Sequence, residues 1–124
     1  MIQLDIGDHR PLYEQIRDKL KEMIIAGLLS ENDKIPSVRE LAGILAINPN
    51  TIQKAYRELE GEGYIYSVKA KGFFVSEIKE NGDSGKIAEL KEEISPLIKE
   101  LKFLGYKKEK IFRIIEKIYQ EEQL

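Results

Sequence analysis

Five polar residues crowd into the run INPNTIQKAY: Asn48, Asn50, Thr51, Gln53 and Lys54. Asn and Gln side chains can donate to and accept from an adenine edge at once. Thr can touch a thymine methyl or a phosphate, and Lys can reach guanine or phosphate. This is the chemistry of reading a nucleic acid, not of making or breaking bonds. Upstream, Arg39 adds a guanidinium able to bridge two phosphates or reach a guanine. Downstream, Lys69 and Lys71 flank Ala70 and can reach phosphates or a minor groove, and Gly72 beside them permits close backbone approach. Plainer roles stay open: Asn50 as a helix cap, Thr51 as a first-turn residue, Arg39 in a surface ion pair, the two lysines simply solvated.

Elements that could position these residues follow in order. Pro11 can open a helix, and Leu12, Ile16, Leu20, Met23 and Ile24 recur along one helical face before Gly27 stops it. LLSENDKIPS reads as a loop in which Asn32 is best suited to a left-handed conformation. Ser37 with Glu40 three residues on is a capping box that starts a second helix through Leu41, Ala42 and Leu45. Pro49 forces a turn at Asn48. Asn50 is then the expected N-cap of a third helix with Ile52, Ala55, Tyr56 and Leu59 inward and Gly63 at its end. YIYSV and GFFV, separated by KAK, form a hairpin. Two helices joined by a tight turn and followed by a lysine-tipped hairpin make a winged helix-turn-helix, which sets one helix in the DNA major groove and the wing against the backbone.

Composition narrows the function classes. The chain has 124 residues, no Cys and one His. Disulfides, thiolate chemistry and Cys- or His-rich metal sites are excluded, and His9 is expected to be solvated or packing. The sequence shows no signal peptide and no segment long enough to span a membrane, so a soluble, cytoplasmic protein is expected. There is no Gly-rich phosphate loop, nucleophile elbow or paired-carboxylate pocket, so neither an enzyme nor a cofactor is expected. Net charge is −2, but between Lys34 and Val75 six basic residues face four acidic ones. Three of those acids gather near the end of the third helix, away from the expected DNA face, so the surface should be dipolar and binding steeply salt-dependent.

ENGDSG at 80–85 has linker composition. It separates a DNA-reading domain, 1–79, from a C-terminal helical segment, 86–124. There Ile87, Leu90, Ile94, Leu97, Leu101 and Leu104 follow heptad spacing. Pro96 inside that seam should kink the helix or begin a new one. Gly105 breaks the run, and Ile111, Ile114, Ile115 and Ile118 supply a second amphipathic helix. The expected fold is therefore mainly α with a small β-wing, an α+β arrangement ending in a helical hairpin. That hairpin is too short to bury its own apolar faces, so it requires a partner.

PLYEQI at 11–16, IPSVRELA at 35–42, NPNTIQKAY at 48–56, LEGEGYI at 59–65 and KGFFV at 71–75 together resemble the GntR family of bacterial transcription regulators. The resemblance covers about the first 78 residues, and the NPNT version with a short helical tail looks like the small YtrA-type subfamily. It implies a homodimer on a two-fold symmetric operator in double-stranded DNA, usually as a repressor, with the tail helices as the dimer interface. It implies DNA contacts at Ser37, Arg39, Asn48, Asn50, Thr51, Gln53 and Lys54, with Gly72 in the wing. A small-molecule effector acting through the tail is a further expectation, with Pro96 and Gly105 as flex points. The chain departs from the family pattern at three places: Ala70 in place of the first Gly of the wing's G-K-G, Asn32 in place of a loop Gly, and Lys107 and Lys108 where a Ser cap would begin the last helix. The alternative of another class is a winged-helix module that binds protein and does not read DNA; it would be expected to lack the Arg39, Thr51, Lys54 set.

Overall fold

The computed structural model describes residues 4, 7–77 and 84–121. Its elements are α1 (Leu12–Ile25), α2 (Val38–Leu45), α3 (Pro49–Gly61), β1 (Ile65–Val68), β2 (Gly72–Val75), α4 (Ser84–Phe103) and α5 (Lys108–Gln120). Residues up to 77 belong to one compact unit and residues from 84 to another.

In the first unit α3 is the hub. Ile52, Ala55, Tyr56 and Leu59 recur every three or four residues, so one stripe of the helix is apolar and all four are buried. They pack with Ile16 and Leu20 of α1, Leu41 and Ala42 of α2, Ile65 and Val75 of the strands, and Ile35. Leu12, expected on the inward face of α1, is exposed. The Tyr56 ring meets Phe73 edge-on with centroids 5.0 Å apart, and its hydroxyl donates to the Pro36 carbonyl at 2.7 Å. Burial pushes the phenol well above its ordinary pKa, so it remains a donor.

Local chemistry sets the boundaries. Ser37 Oγ accepts from Glu40 N–H, and Glu40 Oε1 accepts from Ser37 N–H, which completes the capping box of α2. Asn32 adopts φ 64°, as its residue type allows. β1 and β2 pair antiparallel with Ile65 opposite Val75 and Val68 opposite Gly72. The loop before α2 adds a short third lane: Ile35 N–H donates to Phe73 O, Val75 N–H to Asp33 O and Asn32 N–H to Val75 O.

Two boundaries differ from the sequence expectation. Asn48, not Asn50, caps α3: its side chain accepts from Asn50 N–H at 2.8 Å. Proline prefers the first helical position because it has no N–H to leave unpaired, so Pro49 is N1 and the cap falls one residue before it. Of the expected linker 80–85, residues 80–83 lie outside the described residues, whereas Ser84 and Gly85 are already helical.

In the second unit α4 runs unbroken through Pro96, so no new helix begins there. The turn at Gly105, φ 81°, leads to α5, whose cap position is Lys107 with no side-chain cap bond. Helix, turn and helix follow in the expected order, but α4 and α5 pack little along each other. No described residue of either is buried.

Candidate nucleic-acid interface

The apolar stripe of α3 turns inward, so residues on the opposite side of the helix must face solvent. Asn50, Lys54 and Arg57 lie there at spacings of four and three, and all three are exposed. Thr51 and Gln53 flank that stripe and are half-buried. Arg57, outside the set expected from the sequence to contact DNA, shares this exposed side with Asn50 and Lys54.

Asn48 Oδ1 is committed to the helix cap and Ser37 Oγ to its own capping box, so each shapes the backbone first. Both hydroxyl and amide donors remain outside those bonds. Asn50, relieved of capping, is an exposed amide. Thr51 follows it in the first turn, its backbone N–H donating to Asn48 O at 3.0 Å.

Charges divide sharply. Arg10 pairs with Asp8 and Asp18, Arg17 with Asp18 and Glu58, Lys19 with Glu22 and Lys21 with Glu62. These cations belong to α1 and its approach. Hydrogen bonding to Asp18 raises Arg17 further above its already high pKa. By contrast Lys34, Arg39, Lys54, Arg57, Lys69 and Lys71 form no ion pair among the described residues. The four acids of the same stretch are all engaged elsewhere. Glu58 and Glu62 pair with α1, Glu60 accepts from the backbone and hydroxyl of Ser67, and Glu40 serves the capping box. The backbone N–H of Ser37 and its hydroxyl hold Glu40 below its ordinary pKa. The modest charge excess read from the sequence thus understates the free positive charge of this segment.

At the wing tip Lys71 N–H closes the turn onto Val68 O at 2.9 Å, and Lys69, Ala70 and Lys71 are exposed. Ala70 takes φ 67°, the conformation a glycine would hold without strain. Gly72 has φ 113°, and a Cβ there would come within 3.3 Å of the Lys34 side chain. Its glycine therefore serves the packing of Lys34 as well as the open wing.

In the tail, Ile87, Leu90, Ile94, Leu97, Leu104, Ile114, Ile115 and Ile118 are exposed, while Leu101 and Ile111 are half-buried. Ile98, Phe103, Phe112 and Tyr119, outside the heptad reading, are exposed too. Both tail helices thus leave large apolar side chains exposed to solvent. Among the described residues there is no group of acidic or histidine side chains able to hold a metal, and no helix is long and apolar enough to cross a membrane.

Residues 12–75 match the family described as bacterial regulatory proteins, gntR family. The chain is 42% identical over 119 residues to the HTH-type transcriptional repressor YtrA of Bacillus subtilis (strain 168), covering 95% of this chain and 92% of that one. The crystal structure of a transcriptional antiterminator from Listeria monocytogenes EGD-e superposes with a TM-score of 0.71 at 36% identity, over 97% of this chain and 90% of that one. The DNA-binding domain of AraR in complex with operator ORE1 superposes with a TM-score of 0.53 at 30% identity, over 61% of this chain and 93% of that one.

Proposed function

The chain belongs to the GntR family of bacterial regulatory proteins, DNA-binding regulators of transcription, and from that premise we propose that it is a cytoplasmic repressor that binds a palindromic operator as a homodimer. The observation that carries the reading is the charge division: six cations without ion pairs around α2, α3 and the wing, and every acid of that stretch turned to the fold. Free cations release counterions from DNA on binding; paired ones must first break their pairs.

In this reading Arg39, Lys69 and Lys71 contact the backbone or a groove. Asn50, Thr51, Gln53 and Lys54 face base edges and phosphates, and Ser37, Asn48 and Gly72 hold the backbone that presents them. The unit 1–79 reads one half-site, and the tail, 86–124, joins two copies through its exposed apolar residues. Two recognition helices then meet successive major grooves about 34 Å apart, roughly one turn of the duplex. A small effector lodged among the tail helices would act by changing the relation between the two reading units; an operator affinity that ignores every candidate effector and cell extract counts against that part.

Selection from a pool of random duplexes at moderate salt tests the core of the proposal. The expected product is a palindrome with half-sites about ten base pairs apart, and Arg39→Ala with Lys54→Ala should abolish its retention. Recovery of sequences without preference, or a retention indifferent to those two changes, would overturn it.

A further inference from the structure

The contact between α1 and α3 is a ladder. Residues 13, 17 and 21 of α1 stand opposite residues 54, 58 and 62, so the rungs repeat every four residues along both helices. The second and third rungs are ion pairs, Arg17 with Glu58 at 2.6 Å and Lys21 with Glu62 at 3.6 Å. In each, the cation belongs to α1 and the acid to α3 or its cap. The first rung inverts this. The cation, Lys54, is on α3, and its partner is a ring: Lys54 Nζ lies 3.9 Å from the centroid of Tyr13.

That distance is well within the roughly 6 Å over which an ammonium is drawn to an aromatic face. The ring is held from behind: it packs against the core, and its hydroxyl donates to Glu14 Oε1 at 3.3 Å. Lys54 itself is exposed and has no ion pair among the described residues. A carboxylate at position 13 would hold the ammonium equally well but would cancel its charge and place a second negative group where phosphates must approach. The ring restricts the long side chain and leaves its charge intact.

We propose that Tyr13 is a positioning residue of the DNA interface, whose ring holds the Lys54 ammonium at the recognition turn without neutralising it. The inference rests on the DNA reading above. It makes the first rung functional where the other two are structural. Lys54 loses less side-chain freedom on binding because part of that loss has already occurred in the free protein.

The test measures affinity for the duplex recovered by selection, using the full chain and five variants whose melting temperatures are recorded alongside. Tyr13→Phe keeps the ring and should bind within about twofold of the parent. Tyr13→Leu should bind roughly two- to fivefold more weakly, the range expected of a solvent-accessible cation–π contact. Tyr13→Glu completes the ion-pair ladder, so it should melt no lower than Tyr13→Leu yet bind more weakly than it. In a Lys54→Ala background, Tyr13→Leu should cost nothing further. A merely structural role predicts the same loss in both backgrounds and would overturn the proposal, as would a Tyr13→Phe loss equal to that of Tyr13→Leu, which would assign the effect to the hydroxyl. In the free protein, ring-current shifts of the Lys54 side-chain protons should vanish in Tyr13→Leu. If the parent retains no duplex, the DNA reading falls and Lys54 loses its role with it; if it does and the shifts are absent, only the positioning role falls.

Discussion

Among the described residues, those up to 77 include eleven buried hydrophobic side chains, whereas the helices that begin at Ser84 bury none fully. Both regions have amphipathic helices, so amphipathicity alone does not make a core. α3 has neighbours on its apolar side from α1, α2 and β1, which come from stretches before and after it in the chain. Within the second unit α4 and α5 pack little together. The first region can therefore settle its polar accounts internally, with Glu58, Glu60 and Glu62 each bound to another element. The second presents Phe103 and Tyr119 almost fully to solvent, 88% and 86% exposed, which is costly for a helix that has no partner. One unit covers its apolar residues; the other leaves its own exposed.

The contrast breaks first at Tyr56. Tyr56→Ala removes a fully buried ring and leaves the Pro36 carbonyl without its donor. It should cost about 3–5 kcal/mol, enough to unfold the first unit in a urea titration while concentration-dependent helicity from α4 and α5 persists. Loss of both signals together would mean that the two units fold as one. Pro96→Ala acts on the other side. Restoring a backbone donor in the interior of α4 should stabilise that helix by up to about 3 kcal/mol, raising the tail's melting temperature and leaving the first unit's unchanged.

Smaller effects sharpen the picture within the first unit. Ala46, the C-cap of α2 at φ 55°, and Ala70 at φ 67° both occupy left-handed backbone. Ala46→Gly and Ala70→Gly relieve a strain of about 1–2 kcal/mol each, partly offset by the greater freedom of glycine in the unfolded chain. A rise in urea midpoint for each, with no change in the tail, is the expected result. Least of all is the pH effect of Glu40. Its carboxylate titrates below the ordinary 4.5 because the Ser37 N–H, and then its hydroxyl, bond the charged form. A depressed folded-state pKa means that its contribution is present above 4.5 and is lost as pH falls through the lowered value. Glu40→Gln should flatten part of the acid-side decline of the first unit and leave the tail's pH profile as it was.

What could be read from residue order was whatever depends on neighbours three or four positions apart. Ser37 with Glu40, the left-handed Asn32, the stripe from Ile52 to Leu59, the hairpin around Lys69–Lys71 and the unpartnered apolar residues of the tail are of this kind, and the five family motifs fall on the same elements. The α3 cap was misplaced by two residues because Asn48 and Asn50 are alike as caps, and only the preference of Pro49 for the first helical position separates them. Leu12 fitted the periodicity of α1 yet found no neighbour to cover it. The gathering of acids near the end of α3 was legible, but the partners that α1 and α3 give each other were beyond reach of the sequence for a different reason. Tyr13 and Lys54, Arg17 and Glu58, Lys21 and Glu62 are each 41 positions apart, and no local rule links them. The amino-acid order by itself determined which helices, turns and wing would form, since most of their bonds close between near neighbours; only the packing of α1 on α3 decided that Arg17 and Lys21 meet Glu58 and Glu62 and that Lys54 meets a ring in place of a carboxylate.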